Sequence, residues 1–582
     1  MALLILGAFA SRALGQVPLQ MNWNRQTTFG PDGPWQGVQM TVGDDDPPAL
    51  DGSDVTLYPG GAWQSQILDS FFCNGSSNCL AAEAGLYNYE TSQTANGSVQ
   101  LVGGLGQWDG GASMNLTGAR ISVLDTFTFA DSTGTKYSIP QTIFSAVNSS
   151  NVELPNGNFY STQVGLLALG APDLAQEFSE GNGQEIQGNL LTGYLRNTSK
   201  IPSSSWGLQI GSVMQGQVGS LVLGGYDQSR TLGPVGVFTL SGSTPVVNLI
   251  DISMGVSTGG SPFNQTTITG LFQFGGNTTA PVITNPSVPY MQLPQDTCDA
   301  IAAYLPVTYQ SSSGLYTWNT NDPDYLKIVS SPAYIQFTFA ESLTTNVSIV
   351  VPFPLMNLTL TTPIINEPQP YFPCKPYYPA DGNYILGRAF LQAAFIGVNW
   401  EQQKLFMTQA PGPNSGPVQI TTINPTDTSI GSNPIDTFIN SWQQKWTPLP
   451  LPSGSPSSPN STGTGSAPSS SPTTAGSGLS AGAKIGIGVG IGLAALVAIG
   501  ALVFFCVRSR RAAEPEPLPE VTQQPSNYSD YDQKPQPSIP GYAQPYQTYH
   551  ELDAPVIIHE TGDGSLPEMS SQRRSQAYQL PS

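Results

Sequence analysis

The sequence predicts a mainly β protein built in two lobes, followed by one membrane-spanning helix and a disordered tail. Three observations carry that prediction. Residues 30 to 410 alternate short apolar or β-branched runs with Gly, Asn, Ser and Pro clusters, as in VGSLVLGG, YIQFTFAES and SIVVPFPLMNLTL, a pattern of strands punctuated by turns. A chain of 582 residues exceeds what a single core ordinarily holds. The run IGIGVGIGLAALVAIGALVFFCV at 485–507 is followed at once by Arg508, Arg510 and Arg511.

In chain order, residues 1–15 (MALLILGAFASRALG) join a short apolar core to small residues at Ala13 and Gly15, the pattern of a secretory signal peptide. The β-rich region follows, with lobes expected at 30–200 and 201–410 and a short helix at 295–304. Residues 411–446 form a transition segment with a second short helix at 434–446. Residues 447–483 are a Ser/Thr/Pro-rich stalk, a composition that cannot bury a core. The run at 485–507 would span about 34 Å as a helix, enough for a bilayer core of about 30 Å. The arginines after it place the C-terminus in the cytoplasm by the positive-inside rule. The expected location is therefore the plasma membrane, as a type I protein with its ectodomain outside. The tail, 508–582, is rich in Pro, Gln, Tyr and Ser, with a PxxP stretch at 534–540 that suits a cytoplasmic partner.

Composition agrees with an extracellular setting. Charged residues are only 10% of the chain, while Gly (62) and Pro (51) are abundant, against a usual charged share of about a quarter. The net charge of -20 leaves no basic surface for phosphates and excludes nucleic acid as a partner. Cys73, Cys79, Cys298 and Cys374 suit two disulfides in an oxidising compartment. Asn74, Asn96, Asn115, Asn148, Asn197, Asn264, Asn277, Asn346, Asn357 and Asn460 each open an N-x-S/T sequon and are candidate glycosylation sites.

Chemistry narrows next. Both histidines, His550 and His559, lie in the tail, so the ectodomain has neither a Ser-His nor a Cys-His nucleophile system. No P-loop occurs, and no cofactor or metal site is expected. Among hydrolytic mechanisms only carboxylate chemistry remains.

Several segments then fall in a telling order. Gln36-Gly37-Val38 and Thr41-Val42-Gly43 precede VTLYPGGAW at 55–63, and Cys73 and Cys79 follow it. VGLLALGAP at 164–172, GSLVLGGYDQSR at 219–230, VITNPSVPYMQLP at 282–294 and YILGRAFLQAAFIGVNWEQQKLFM at 384–407 come after. In this order they resemble the pepsin-like aspartic proteases, most closely fungal surface members. GSLVLGGYD is similar to the family's G-S-L-x-L-G-G-x-D segment, and YILGRAFL to its I-L-G-x-x-F-L segment.

The resemblance implies a bilobal fold with a central cleft and disulfides Cys73–Cys79 and Cys298–Cys374. It also implies one D-[TS]-G loop per lobe, whose two aspartates share a proton and activate water. Neither D-T-G nor D-S-G occurs in the chain. At the first loop the Asp position is Tyr58, followed by Pro59, Gly60 and Gly61; at the second it is Asn285, followed by Pro286 and Ser287. Tyr58 is expected to project into the cleft and to hydrogen-bond Asn285 or water. The flap is expected around Trp108-Asp109-Gly110. Asp54, Asp69, Asp251, Asp296 and Asp299 offer no substitute pair. A neutral phenol and an amide cannot act as general base.

The expectation is thus a catalytically inactive, peptidase-like surface protein serving as a ligand-binding, sensor or adhesion module for a peptide, protein or cell-wall glycan. The alternatives are an aspartic-type endopeptidase with unconventional acids and a structural surface glycoprotein.

Overall fold

Strands form where apolar and polar residues alternate. Ala333–Ala340 (AYIQFTFA) buries Ala333, Ile335, Phe337 and Phe339 and turns the intervening side chains outward, because successive side chains leave a pleated backbone on opposite faces. The computed structural model describes residues 16–43, 52–74, 79–96, 114, 116–179, 185–434 and 437–451. The expected signal peptide, most of the stalk, the 485–507 run, the tail, Asn115, Asn460 and the Trp108-Asp109-Gly110 hairpin lie outside these. Among the described residues no helix is long and apolar enough to cross a membrane.

The fold is mainly β. Among the described residues, one sheet of nine strands comes from 38–189. Across it run Ser65–Leu68, Gly165–Leu167, Ser53–Pro59, Val38–Val42, Leu116–Ala130, Lys136–Glu153, Glu185–Asn189 and Ala175–Ser179, with Phe159–Ser161 beside Lys136–Glu153. A second sheet, of eight strands, comes from 246–386 and is centred on Val246–Val256, Ala280–Thr284 and Tyr384–Leu386. A third, of six strands, combines Leu19–Gln20, Ser220–Leu223 and Ser205–Gln209 with Ala394–Asn399, Lys404–Gln409 and Leu232–Thr239. One hydrophobic cluster runs through all three sheets, from Val55 and Phe144 to Leu208, Ile252 and Phe337.

The helix expected at 295–304 is present as Gln295–Ala302. The one expected at 434–446 shrinks to a single turn, Phe438–Ser441, capped by the Thr437 hydroxyl. Gln444 takes a φ of +62°, a left-handed conformation that stops further helix. Trp442 and Trp446 stack instead, with ring centroids 5.1 Å apart.

The transition segment, together with residues 447–451 that were expected to belong to the stalk, is a strap packed on the sheets. Ile420–Thr422 pairs with Gly225–Asp227, the Asn433 amide donates to Thr231 O, Thr447 N–H donates to Ser330 O at 2.8 Å, and Gly260 N–H donates to Leu449 O at 2.8 Å.

Cys73–Cys79 and Cys298–Cys374 are bonded. The second ties the Gln295–Ala302 helix to the Cys374–Pro376 strand, with both sulfur residues fully buried. Of the sequon asparagines, Asn74, Asn96, Asn148, Asn197, Asn264, Asn277 and Asn346 are exposed. Asn357 is half-buried, its side-chain oxygen accepting a bond from the Tyr325 hydroxyl at 3.2 Å.

The two disulfides close loops of 6 and 76 residues. Chain-entropy scaling assigns them roughly 2 and about 4 kcal/mol respectively. Paired Cys→Ala substitutions, followed by urea unfolding, are expected to show the larger loss at Cys298 and Cys374; equal losses would contradict this assignment.

Candidate functional site

The two halves repeat one device. Leu57, Tyr58 and Pro59 run parallel to Gly165, Leu166 and Leu167, and Val282, Ile283 and Thr284 run parallel to Tyr384, Ile385 and Leu386. In each half the next amide bonds back to the partner strand. Gly60 N–H donates to Leu167 O at 2.9 Å, and Asn285 N–H to Leu386 O at 3.1 Å. The backbone equivalent of Asn285 is therefore Gly60, two residues beyond the expected Tyr58. Residues two apart on a strand share a face, so a reading of sequence alone does not separate Tyr58 from Gly60.

The loop tips touch. A Cβ built on Gly60 would lie 2.5 Å from Pro286 Cγ, so only glycine fits there. The Asn285 side chain braces its own loop by accepting from Ser287 N–H at 2.9 Å. Across the halves, Trp63 Nε1 donates to Ser243 Oγ at 3.0 Å.

Tyr58 does not make the expected bond to Asn285. It is only 6% exposed, and its hydroxyl is buried without a hydrogen-bond partner among the described residues. Its ring lies under the guanidinium of Arg388, 4.1 Å from the centroid, while the Trp35 ring lies 5.0 Å from the same group. Arg388 donates through one nitrogen to Pro286 O at 2.9 Å and Ser287 O at 3.0 Å. Its other terminal nitrogen stands 3.9 Å from Asp32 Oδ1. That oxygen also accepts the Trp35 indole N–H at 2.7 Å. Burial pushes the Asp32 carboxyl above its usual range, against the pull of Arg388. Burial likewise raises the Tyr58, Tyr160, Tyr290 and Tyr371 phenols, which stay neutral. Lys375 holds its ammonium 5.1 Å from the centre of the Tyr290 ring, and burial lowers it to about 8.

Two cavities flank the loop tips and share no lining residue. One of about 330 Å³ is bounded by Gly60, Trp206, Ser243, Asn285, Tyr377 and Asp381. The other, of about 80 Å³, is bounded by Asp32, Tyr58, Tyr160, Ser287 and Arg388. No Lys or Arg lines the larger among the described residues.

The acids considered from sequence stand elsewhere. Asp54 accepts from the Thr41 hydroxyl at 2.7 Å, and Asp69 caps its own turn through Phe71 N–H at 2.9 Å. Asp251 sits in the Val246–Val256 strand, and Asp296 and Asp299 in the Gln295–Ala302 helix. Sequence reasoning missed Asp32, Trp35 and Arg388. The first two sit in GPDGPW, which reads as turn punctuation, and Arg388 fills a variable place in the I-L-G-x-x-F-L segment.

No family model matches the chain, and no curated protein matches it.

Removing one partner of a buried ion pair leaves the other uncompensated. Arg388→Ala is expected to lower unfolding stability by about 3–5 kcal/mol. Adding Asp32→Asn should recover part of the loss, read as a double-mutant coupling; strict additivity would exclude the pairing. For Lys375, the unfolded group titrates near 10.5 and the folded one at about 8. Between those values only the unfolded chain holds the proton. Stability should therefore rise with pH across the window, the contribution being complete above 10.5 and lost as pH falls through 8. Lys375→Met should remove that slope in chemical unfolding measured at several pH values.

Proposed function

We propose that the chain is a non-hydrolytic pepsin-like protein: two lobes about a central cleft, anchored at the cell surface as a type I membrane protein, with the ectodomain serving to bind a ligand. The observation that carries this reading is the meeting of the two loops, Gly60 against Pro286, which places the matched positions Gly60 and Asn285 where hydrolysis by this family's chemistry needs two carboxylates sharing one proton. Neither residue accepts or releases a proton. The one carboxylate in the cluster behind them, Asp32, is single and faces Arg388. A lone acid beside a guanidinium cannot form the like-charge pair that splits two carboxyl pKa values. The alternative of an endopeptidase with unconventional acids has no second carboxylate to draw on among the residues lining either cavity except Asp381, which lies in the other cavity from Asp32.

The larger cavity, at about 330 Å³, falls within the size range of small-ligand pockets. Aromatic walls, hydroxyl and amide groups, one acid and no cation suit an uncharged or cationic group, such as part of a glycan or a peptide. A sensor or adhesion role at a cell-wall-facing surface fits that chemistry, with the Pro/Tyr-rich tail as the inward contact.

The test is hydrolysis of denatured protein between about pH 2 and 6, the range over which an aspartate dyad titrates. No pepstatin-sensitive cleavage is expected. Cleavage abolished by substituting a single Asp of this chain would overturn the proposal.

A further inference from the structure

Next to the loops, the chain holds a segment of itself in the manner of a bound peptide. Phe29 and Trp35 pair through both backbone bonds, at 2.9 and 2.8 Å, closing a hairpin over Gly30-Pro31-Asp32-Gly33-Pro34. The groups that grip it come from distant parts of the chain. Gln163 Oε1 accepts the Gly30 N–H at 3.0 Å. Thr361 N–H donates to Pro31 O at 2.8 Å, and Thr359 N–H to Gly33 O at 3.1 Å. The Tyr371 hydroxyl donates to Asp32 O at 2.6 Å.

Thr359 belongs to the Leu358–Leu360 strand at the edge of a four-stranded sheet. Alternate amides of that edge thus bond alternate carbonyls of the hairpin, which is how an exposed sheet edge takes up an added peptide strand. Two side chains anchor it. Asp32 faces Arg388, and Trp35 is 3% exposed with its ring against the same guanidinium. A buried aromatic beside a charged partner is the composition of an interface hot spot. With the hairpin in place, a cavity of about 80 Å³ lies beside it, bounded by Gly30, Pro31, Asp32 and Arg388.

We infer that the Phe29–Trp35 hairpin is a ligand carried within the chain, and that the site it fills recognises an acidic, proline-flanked turn ending in an aromatic residue. An external segment of that chemistry binds where the hairpin sits once the hairpin leaves. The inference rests on reading the loop region as a binding site. Its readouts need no hydrolysis assay, so a chain found to be an active protease yet carrying a displaceable hairpin would sink the former reading and leave this one standing.

The probe is a fluorescent peptide of sequence FGPDGPW with both ends blocked. It is added to the full-length chain and to a full-length variant whose residues 29–35 are replaced by a Gly/Ser stretch of equal length. Saturable binding is expected only for the variant, weakened about tenfold or more when the peptide carries Asn in place of Asp. Failure to bind a variant that still unfolds cooperatively, or equal binding to both chains, overturns the inference. Amide exchange on the unaltered chain gives an independent reading should the variant not fold. The Trp35, Thr359 and Thr361 amides should exchange together and faster than those of Phe337 and Ile252, as a unit that detaches locally. Exchange of the three only with global unfolding would make the hairpin fixed structure and overturn the inference.

Discussion

A single guanidinium organises the centre of this molecule. Arg388 is 5% exposed, yet it lies between the Tyr58 and Trp35 rings, bonds two carbonyls of the Asn285 loop and faces one carboxylate. A guanidinium tolerates this better than an ammonium because its charge is delocalised and weakly hydrated, and its flat faces accept aromatic rings. Each neighbour also needs it: the Pro286 and Ser287 carbonyls gain a donor, and Asp32 a counter-charge. The short helix that begins at Arg388 follows the strand Tyr384–Leu386, so the second sheet fixes where that charge lies.

The contact between the loops has a further effect. With Pro286 Cγ inside the space that any Cβ at position 60 would occupy, the tips have closed over the room that a side chain there requires. An acid could not be placed at position 60 by one substitution, because Pro286 would have to retreat with the backbone that Arg388 holds. The closure of this space is thus distributed over several residues on both loops.

Much of the fold was legible because its signals are local. Alternation in AYIQFTFA marks a strand, and VTLYPGGAW reads as a strand ending in a turn. The even number of cysteines before residue 411 is legible as well. What escaped depends on register and on distance along the chain. Whether Tyr58 or Gly60 matches Asn285 is decided by pairing with Leu166 and Leu167, more than 100 positions away, and a strand's two-residue period hides a shift of two. The ring of contacts around Arg388 joins residues 32, 35, 58 and 286. No local pattern distinguishes that arginine from a surface one, and GPDGPW looks the same whether its turn faces water or a groove. The helix expected at 434–446 is cut to one turn because Gln444 takes a left-handed conformation and Trp442 stacks on Trp446.

The strap beyond residue 410 bears on how the protein responds to tension. Among the described residues it is held at Thr447 and Leu449, with the stacked tryptophans Trp442 and Trp446 just before them. A pull transmitted from the C-terminal side meets these attachments one after another, as a zipper rather than as bonds loaded in parallel. Bonds opened in sequence yield one at a time, so the strap is the part of the described chain that can detach while the sheets around the loops stay paired.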